Sequence, residues 1–231
     1  KKKIRIKFQF KFAIMNKANL SIFASGVGSN LLAIHNASMD KCFPGKLQLV
    51  VCNKICPAFE LAKSLNYKTK LISNLDIKKF EIIAHNELVE KKVDLICLAG
   101  FMRVLSPKFV SKWKNKILNI HPSILPLFPG LNTHKKILLN GIKIHGSTVH
   151  IVNEKLDSGK ILGQFAFAVK SNDLDFLIDN IKKYENLLYP EVIKKYIWTF
   201  LFKEDKFLKY NNIHTNDAVF SYWKRFTWAI N

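Results

Sequence analysis

The chain has 231 residues, of which 48% are hydrophobic and 12% aromatic, and its formal net charge is +20. With only 9 glycines and no internal repeat, it falls outside the collagen-like, coiled-coil and disordered classes. No run approaches the roughly 18 consecutive apolar residues of a membrane-spanning helix. These properties predict a globular protein with a real hydrophobic core.

Short apolar runs alternate with helical patterns along most of the chain. The predicted strands are 20–24, 47–52, 69–73, 94–100, 117–120, 145–152 and 160–169. The predicted helices are a stretch after residue 30, residues 57–65, residues 76–91, a segment with Ser106 as its N-cap, residues 133–140, and a long final helix interrupted near Pro190. Such alternation predicts an α/β fold: a Rossmann-like, mostly parallel sheet with helices on both faces.

Three regions are expected along the chain. Residues 1–17 are basic and lack the features of a signal peptide, so we interpret them as an N-terminal extension outside the core, with Met15 as a more natural start. Residues 18–195 form one domain. Residues 196–231 are rich in aromatic side chains but show no clear pattern. We interpret them as a C-terminal tail of uncertain order and assign them no role.

In an open parallel sheet the ligand binds beyond the carboxyl ends of the strands. The first such segment is Ser25-Gly26-Val27-Gly28-Ser29-Asn30. Two glycines between a strand and a helix allow a tight turn whose N–H groups face an anion at the positive end of the helix dipole. The segment matches neither GxGxxG nor a Walker loop, so a phosphate site and an ordinary tight turn both stay open.

Asn119 and His121 form the second candidate site. Residues two apart on a strand point to the same face, so both side chains are directed into the crevice. Buried polar groups without partners are costly, and the rigid, proline-rich loop that follows favours a functional site over a structural histidine. Asp157, in a loop near Gly159, is either a turn residue or a carboxylate that orients His121.

The cysteines and histidines do not suggest a metal. Cys42, Cys52, Cys56 and Cys97 include no CxxC pair, and two of them lie in apolar runs, as buried thiols do in a reducing cytoplasm. His145 and His150 are on opposite faces of a predicted strand. We therefore expect no catalytic metal and a cytoplasmic location.

Lysine carries nearly all of the positive charge, since Arg5, Arg103 and Arg225 are the only arginines among 37 cationic residues. Specific nucleic-acid binding uses arginine heavily, so a composition bias is favoured over a polyanion-binding surface. A basic field would still attract small anionic substrates.

Several segments, taken together and in order, resemble the glycinamide ribonucleotide formyltransferases. They are SGVGSNLLAI, the NK of VVCNK, LAGFMRVLSP, NIHPSILPLFPGLNTH, HGSTVHIV and LDSGKILGQ. The resemblance covers roughly residues 18–195. It implies the formyltransferase fold and transfer of a formyl group from 10-formyltetrahydrofolate to the glycinamide amine in purine biosynthesis, with small-molecule substrates and a monomer or homodimer.

The resemblance implies three catalytic residues. Asn119 and His121 would donate hydrogen bonds to the oxyanion that forms when the amine attacks the formyl carbon. Asp157 would hold His121 in its protonated state, because a neighbouring carboxylate raises the pKa of a histidine, and would help to relay the proton. No covalent intermediate with the enzyme is required.

The resemblance also implies binding residues. Gly28, Ser29 and Asn30 match the nucleotide-phosphate site, and Glu185 matches an acidic residue near the ribose, with a solvated helix carboxylate as the alternative. The predicted folate-binding residues are Lys78, Met102, Arg103, Val104, Leu105, Asn119, Asn153 and Asp157. The backbone of residues 102–105 and 153–157 would line the pterin slot, while Lys78 stands where the family often has an arginine. His134 and His150 match family positions and are interpreted as structural or supporting.

Two other classes remain open. One is another folate-dependent enzyme on the same scaffold, such as formyltetrahydrofolate hydrolase or methionyl-tRNA formyltransferase; the absence of their additional domains argues against both. The other is a basic protein that binds RNA without catalysis. The complete set of Asn119, His121 and Asp157 argues against that interpretation.

Overall fold

The computed structural model describes residues 17–73 and 75–201. Its strands are β1 (Ala18–Ala24), β2 (Gly45–Cys52), β3 (Thr69–Leu71), β4 (Leu95–Leu98), β5 (Ile117–His121), β6 (Ile144–Ile151) and β7 (Ile161–Ala168). Its helices are α1 (Ser29–Ser38), α2 (Pro57–Ser64), α3 (Ile77–Glu90), α4 (Pro107–Lys112), α5 (Thr133–Leu139) and α6 (Leu174–Tyr196), which continues as a π-helical turn (Ile197–Leu201).

Within the described residues the strands form one seven-stranded sheet in the order β3-β2-β1-β4-β5-β6-β7. Strands β1 to β5 are parallel, and β6 and β7 add to the β5 edge in antiparallel pairs. The strand order reverses between β1 and β4, which is where an open α/β sheet forms its ligand crevice. The predicted mostly parallel α/β sheet is confirmed.

The sheet is buried on both faces because successive side chains of each strand point in opposite directions. Ile22 packs with α1, α2 and α6 in one apolar cluster, whereas its neighbour Phe23 packs with α3 and α4 in a second cluster. The central strands must therefore carry apolar side chains on both faces, as the short apolar runs in the sequence indicate. The predicted helices on both faces are confirmed.

The final helix differs from its prediction, because α6 runs unbroken through Pro190. A proline in a helix interior removes one N–H donor and costs about 3 kcal/mol. Tyr189 is fully buried beside it, and its hydroxyl lies 3.1 and 3.0 Å from the carbonyl oxygens of Leu98 and Leu118. Packing on the sheet offsets the cost of the proline, and the local sequence does not contain that information.

Residues just beyond the predicted domain boundary at 195 pack on the core. Tyr196 and Ile197 are buried in the cluster that contains α1 and α6, and the π-helical turn ends at Leu201. Most of the expected extension (1–17) and of the expected tail (196–231) lies outside the described residues, so those assignments stay predictions. In the described part of the chain, no helix is long and apolar enough to cross a membrane.

Candidate active site

A cavity of about 780 Å³ opens at the carboxyl edge of the sheet, beside the point where the strand order reverses. Loops after β1, β4, β5 and β6, the start of α5 and one face of α6 form its walls. The lining residues are 26–30, 98–105, 119–122, 130–134, His150, 152–157, Ile178, Ile181, Lys182 and Glu185. Every predicted site residue except Lys78 is among them, so residues up to 157 positions apart in sequence meet in one cavity.

The loop after β1 turns sharply into α1 at Gly28. This residue has φ 93°, in the left-handed region, and a Cβ added to it would lie 3.0 Å from the Cα of Ala58. Both constraints require glycine at this position. Among the described residues no side chain caps the N-terminus of α1, so the first-turn amides at Ser29 and Asn30 border the cavity with the positive end of the helix dipole.

Glu185 lies on α6 at the same end of the cavity and is only 7% exposed. Its carboxylate accepts hydrogen bonds from Asn30 Nδ2 at 3.1 Å and from the Ser147 hydroxyl at 2.7 Å. Burial raises the pKa of Glu185, and these two hydrogen bonds oppose that shift. The alternative of a solvated helix carboxylate is therefore wrong.

Asn119 and His121 point from β5 into the cavity, as their spacing predicts. The Asn119 Nδ2 lies 3.2 Å from Nε2 of His150, which belongs to the neighbouring strand β6. The other ring nitrogen of His150 lies 3.1 Å from the carbonyl oxygen of Ile151 and is placed to donate to it. This contact with His150 leaves the second N–H of the Asn119 amide for a ligand.

Asp157 contacts His121 directly. Its Oδ2 lies 3.3 Å from His121 Nδ1 and accepts from the Gly130 N–H at 2.8 Å, while its Oδ1 lies 3.7 Å from Nε2 of His150. Asp157 has φ 49°, a left-handed conformation that Asp tolerates better than most residues. The side chain is 7% exposed, and the expectation that this carboxylate orients His121 agrees with the geometry.

Burial opposes the expected effect of Asp157 on the pKa of His121. Burial is the largest effect on His121 and lowers its pKa below the ordinary value, while the Phe128 carbonyl and Asp157 act in the opposite direction. Burial also opposes ionisation of Asp157, but the nearby ring of His150, the hydrogen bond from Gly130 and the nearby His121 hold the pKa of Asp157 below its usual value. The pKa of His121 is therefore lower than the influence of Asp157 alone predicts, although both ring nitrogens face acceptors, Oδ2 of Asp157 and the carbonyl oxygen of Phe128.

The loop after β4 forms the opposite wall. The side chains of Met102 and Val104 are 64% and 68% exposed, whereas Leu105 is buried. The Arg103 guanidinium lies over the Phe80 ring, 5.2 Å from its centroid, at the geometry of a cation–π contact. The side chain of Arg103 thus packs against α3, and its backbone remains the part expected to contribute to the cavity.

Lys78 is the one predicted residue that the structure does not bring to the cavity. It is exposed in the first turn of α3 and is absent from the described lining residues. Asn153 does line the cavity, and its side-chain oxygen accepts from the Lys155 N–H and the Ser158 hydroxyl within the loop after β6. The role of Lys78 stays a prediction that this placement does not support.

The sequence analysis missed one face of α6. Ile178, Ile181 and Lys182 line the cavity together with Glu185, at the spacing of residues that share a helix face. This periodicity could have found them once Glu185 was selected. Ser25 was also missed as a separate contributor: its buried hydroxyl contacts two other loops, which no local motif indicates.

Two further histidines form a pair beside the site. His134 Nδ1 lies 3.1 Å from His145 Nε2, and burial lowers the pKa of both, that of His145 to about 4. His134 lines the cavity and His145 is fully buried. In the described part of the chain, no three His, Cys, Asp or Glu side chains are arranged to hold a metal ion.

Comparison with known proteins identifies the same region. The family model described as "Formyl transferase" matches residues 18–193. The phosphoribosylglycinamide formyltransferase of Escherichia coli is 37% identical over 181 residues, which are 76% of this chain and 85% of that protein. The trifunctional purine biosynthetic protein adenosine-3 of Gallus gallus is 39% identical over 78% of this chain, and the match spans 18% of the larger protein's length.

Solved structures agree in fold and in length. The phosphoribosylglycinamide formyltransferase of Brucella melitensis superposes with a TM-score of 0.74 at 36% identity, covering 78% of this chain and 96% of that one. The enzyme of the same name from Bacillus halodurans gives a TM-score of 0.75 at 30% identity, covering 84% and 100%. With a family match over most of its length, and with the phosphoribosylglycinamide formyltransferases of Escherichia coli and Brucella melitensis covered to 85% and 96%, this chain belongs to the formyl transferase family, among the phosphoribosylglycinamide formyltransferases.

Proposed function

We propose that this chain transfers a formyl group from 10-formyltetrahydrofolate to the amine of 5'-phosphoribosylglycinamide, giving formylglycinamide ribonucleotide and tetrahydrofolate in purine biosynthesis. Its relatives carry the corresponding names. One observation carries the proposal: a single cavity joins the Asn119, His121 and Asp157 side chains to the open N-terminus of α1. The reacting groups and an anion site are thereby within reach of one substrate.

The nucleotide would bind at the β1–α1 end. First-turn amides at Ser29 and Asn30 suit its phosphate, which the helix dipole also attracts. Glu185 would accept hydrogen bonds from the ribose hydroxyl groups. Among the described residues, the Asn30 Oδ1 is buried without a hydrogen-bond partner, and a polar ligand group here would supply one.

The residues of the other wall fit a folate. Val27, Met102, Val104, Leu131 and Leu156 all line the cavity with at least 58% of their surface exposed. Large apolar side chains exposed around a cavity fit a flat aromatic ligand, which would cover them. Polar backbone groups of the loops after β4 and β6 would orient the pterin, and the folate supplies the formyl group.

The reaction centre is formed by side chains of β5 and the β6–β7 loop. As the amine forms its bond to the formyl carbon, Asn119 and His121 donate hydrogen bonds to the formyl oxygen, which gains negative charge. Burial lowers the pKa of His121, and the developing negative charge together with Asp157 favours its protonated form during the reaction. His150 keeps the Asn119 amide in place.

Proton transfer completes the step. The carbon–N10 bond breaks as the new carbon–nitrogen bond is retained, so one proton must leave the amine and one must reach N10. His121 and Asp157 form the proton-carrying pair nearest to this position, and no net proton is consumed. The chain needs no nucleophilic side chain for this sequence of steps.

The cytoplasmic location and the monomeric or homodimeric state stay part of this proposal. Neither is needed for the chemistry, since the cavity is formed within one chain.

A direct assay tests the proposed activity. Purified protein is mixed with the formyl-folate and the ribonucleotide, and the absorbance of the folate product is followed with and without the nucleotide. We expect product only when the nucleotide is present. Product without nucleotide would indicate a hydrolase, and no product from folded protein would contradict the proposed function.

A further inference from the structure

Ser25 ends β1 and joins three loops at the carboxyl edge of the sheet. Its hydroxyl donates to Asn53 Oδ1 at 2.6 Å and accepts from the Met102 N–H at 3.0 Å. Its own backbone N–H donates to the carbonyl oxygen of Gly100 at 3.2 Å. Because Ser25 is only 3% exposed, these bonds are shielded from water and no bulk solvent can replace them.

The loops that Ser25 connects follow the neighbouring strands β1 and β4, and both line the cavity. Residues 26–30 continue directly from it toward the α1 N-terminus, while Met102 belongs to the loop after β4. Asn53 follows β2. The Gly26 carbonyl accepts a hydrogen bond from the N–H of Ala58 in α2 at 3.0 Å, which also holds the turn after β1 in place. One buried hydroxyl therefore lies between the two proposed substrate loops.

We propose that Ser25 is a positioning residue that couples the two substrate sites, so that an anion bound at residues 28–30 tightens folate binding at residues 101–105. The inference rests on the proposed function for the assignment of the two ligands. A ligand that orders one loop fixes the Ser25 hydroxyl, and the Met102 N–H is then held in its binding position before the second ligand arrives. Coupling of this kind is commonly about 5- to 150-fold in affinity.

The far end of the folate loop provides a matched control. Ser106 caps α4 by accepting from the Phe109 N–H at 3.2 Å, and its hydroxyl and N–H both donate to the buried Glu81 carboxylate at 2.5 Å. Ser106 thus secures the same loop but, among the described residues, makes no hydrogen bond with residues 25–30. The change Ser106→Ala should weaken folate binding and leave the coupling intact.

The experiment measures binding rather than turnover. Calorimetry gives the Kd of a deazafolate that lacks the formyl group, with and without inorganic phosphate at matched ionic strength, for the wild type, Ser25→Ala and Ser106→Ala. Phosphate is the probe because it fills only the anion site and cannot touch the folate. Far-UV circular dichroism and phosphorus NMR line widths check folding and phosphate binding.

We expect phosphate to tighten deazafolate binding by about fivefold in the wild type and in Ser106→Ala, with a weaker absolute Kd in the latter. In Ser25→Ala, phosphate should tighten deazafolate binding by less than about twofold, although phosphate itself still binds. If that variant does not fold, Asn53→Ala replaces it, because it removes the acceptor that orients the hydroxyl and should also reduce the factor.

Two results overturn the inference alone: both ligands bind the wild type without coupling, or Ser25→Ala keeps the wild-type factor. A wild type that binds neither ligand contradicts the proposed function itself, and the inference fails with it. A fall in coupling of equal size in Ser106→Ala also overturns it, because it would show that general loosening of the loop is sufficient.

Discussion

The two ends of the cavity present different groups to a ligand, backbone groups at one end and side chains at the other. At the β1–α1 end the backbone forms the site. Gly28 adopts φ 93°, and a Cβ added there would lie 3.0 Å from the Cα of Ala58. The N-terminus of α1 faces the cavity, and among the described residues no side chain caps it. At the β5 end the side chains of Asn119, His121 and Asp157 form the site, and each is held by a further partner.

This difference assigns separate tasks to the two ends. A backbone site binds a phosphate equally well before and during reaction, so its loss should appear in KM. Side-chain donors at the β5 end meet charge that exists only as the reaction proceeds, so their loss should appear in kcat. Each substitution below tests whether binding and chemistry separate in this way.

The largest effect is expected for His121→Ala. It removes both a donor to the formyl oxygen and a proton carrier, so kcat should fall by about 1,000-fold or more while the KM for the nucleotide changes little. Steady-state kinetics with both substrates measures this. The control is His85→Ala, because His85 contacts Trp113 outside the cavity and its loss should leave kcat unchanged. A large rise in KM without loss of kcat would contradict the assignment.

Asp157→Asn should have the next largest effect. The amide keeps the shape but cannot stabilise a positive charge on His121, and we expect kcat to fall by about 100-fold. Removing the carboxylate also removes one of the influences that raise the pKa of His121, so that pKa should fall further. Proton NMR titration of the His121 ring in both proteins checks the shift. An unchanged or higher pKa in the variant would show that Asp157 does not act on His121 electrostatically.

Gly28→Ala tests the backbone end. The left-handed φ and the contact at 3.0 Å require the loop to move, which should reduce the free energy of unfolding by about 2 kcal/mol and raise the nucleotide KM by about tenfold. Urea unfolding and kinetics measure the two effects. Gly26→Ala is the matched control, since its Cβ would meet no described atom within 4 Å. Equal effects of both changes would argue against a specific role of Gly28.

Glu185→Gln should give the smallest effects, a gain in stability and a weakening of nucleotide binding. The pKa of Glu185 is raised by burial, so its ionised form at neutral pH costs the folded state some stability, which a neutral glutamine avoids. We expect the variant to be more stable by about 1 kcal/mol near pH 8 and no more stable near pH 4, with a several-fold higher nucleotide KM. Urea unfolding at both pH values measures this.

Asp179→Asn, at a carboxylate whose side chain is 78% exposed on the same helix, provides the control for Glu185→Gln and should leave stability and KM unchanged. A stability gain in Glu185→Gln that persists at low pH would point to packing rather than to the raised pKa of the carboxylate. An unchanged nucleotide KM would remove Glu185 from the proposed ribose contact.

The sequence predicts those features that depend on local spacing. Two glycines after an apolar run predict the turn at Gly28, and the two-residue spacing predicts that Asn119 and His121 share a face. The contact between His121 and Asp157 depends instead on the path of the long loop after β6, and the resemblance to known enzymes was needed to select that carboxylate. Local pattern alone left Asp157 as a possible turn residue.

Long-range burial accounts for the remaining differences. The pKa of His121 depends on how much water its surroundings exclude, so the effect of Asp157 alone does not predict its direction. The unbroken helix at Pro190 depends on the packing of Tyr189 beneath β4 and β5. The Ser25 contacts join segments separated by 28 and 77 positions, which no motif of a few residues encodes.

The most direct test of the two-ended site compares two acceptors in the wild-type protein: the glycinamide ribonucleotide and the same compound without its phosphate. Both present the same amine to Asn119, His121 and Asp157, and they differ only at the end of the cavity formed by residues 28–30. We predict that loss of the phosphate lowers kcat/KM by about 100-fold or more, mainly through KM, while formyl transfer still occurs. Equal kcat/KM values for the two acceptors would contradict the account, because the helix N-terminus and the reaction centre would then not serve one substrate.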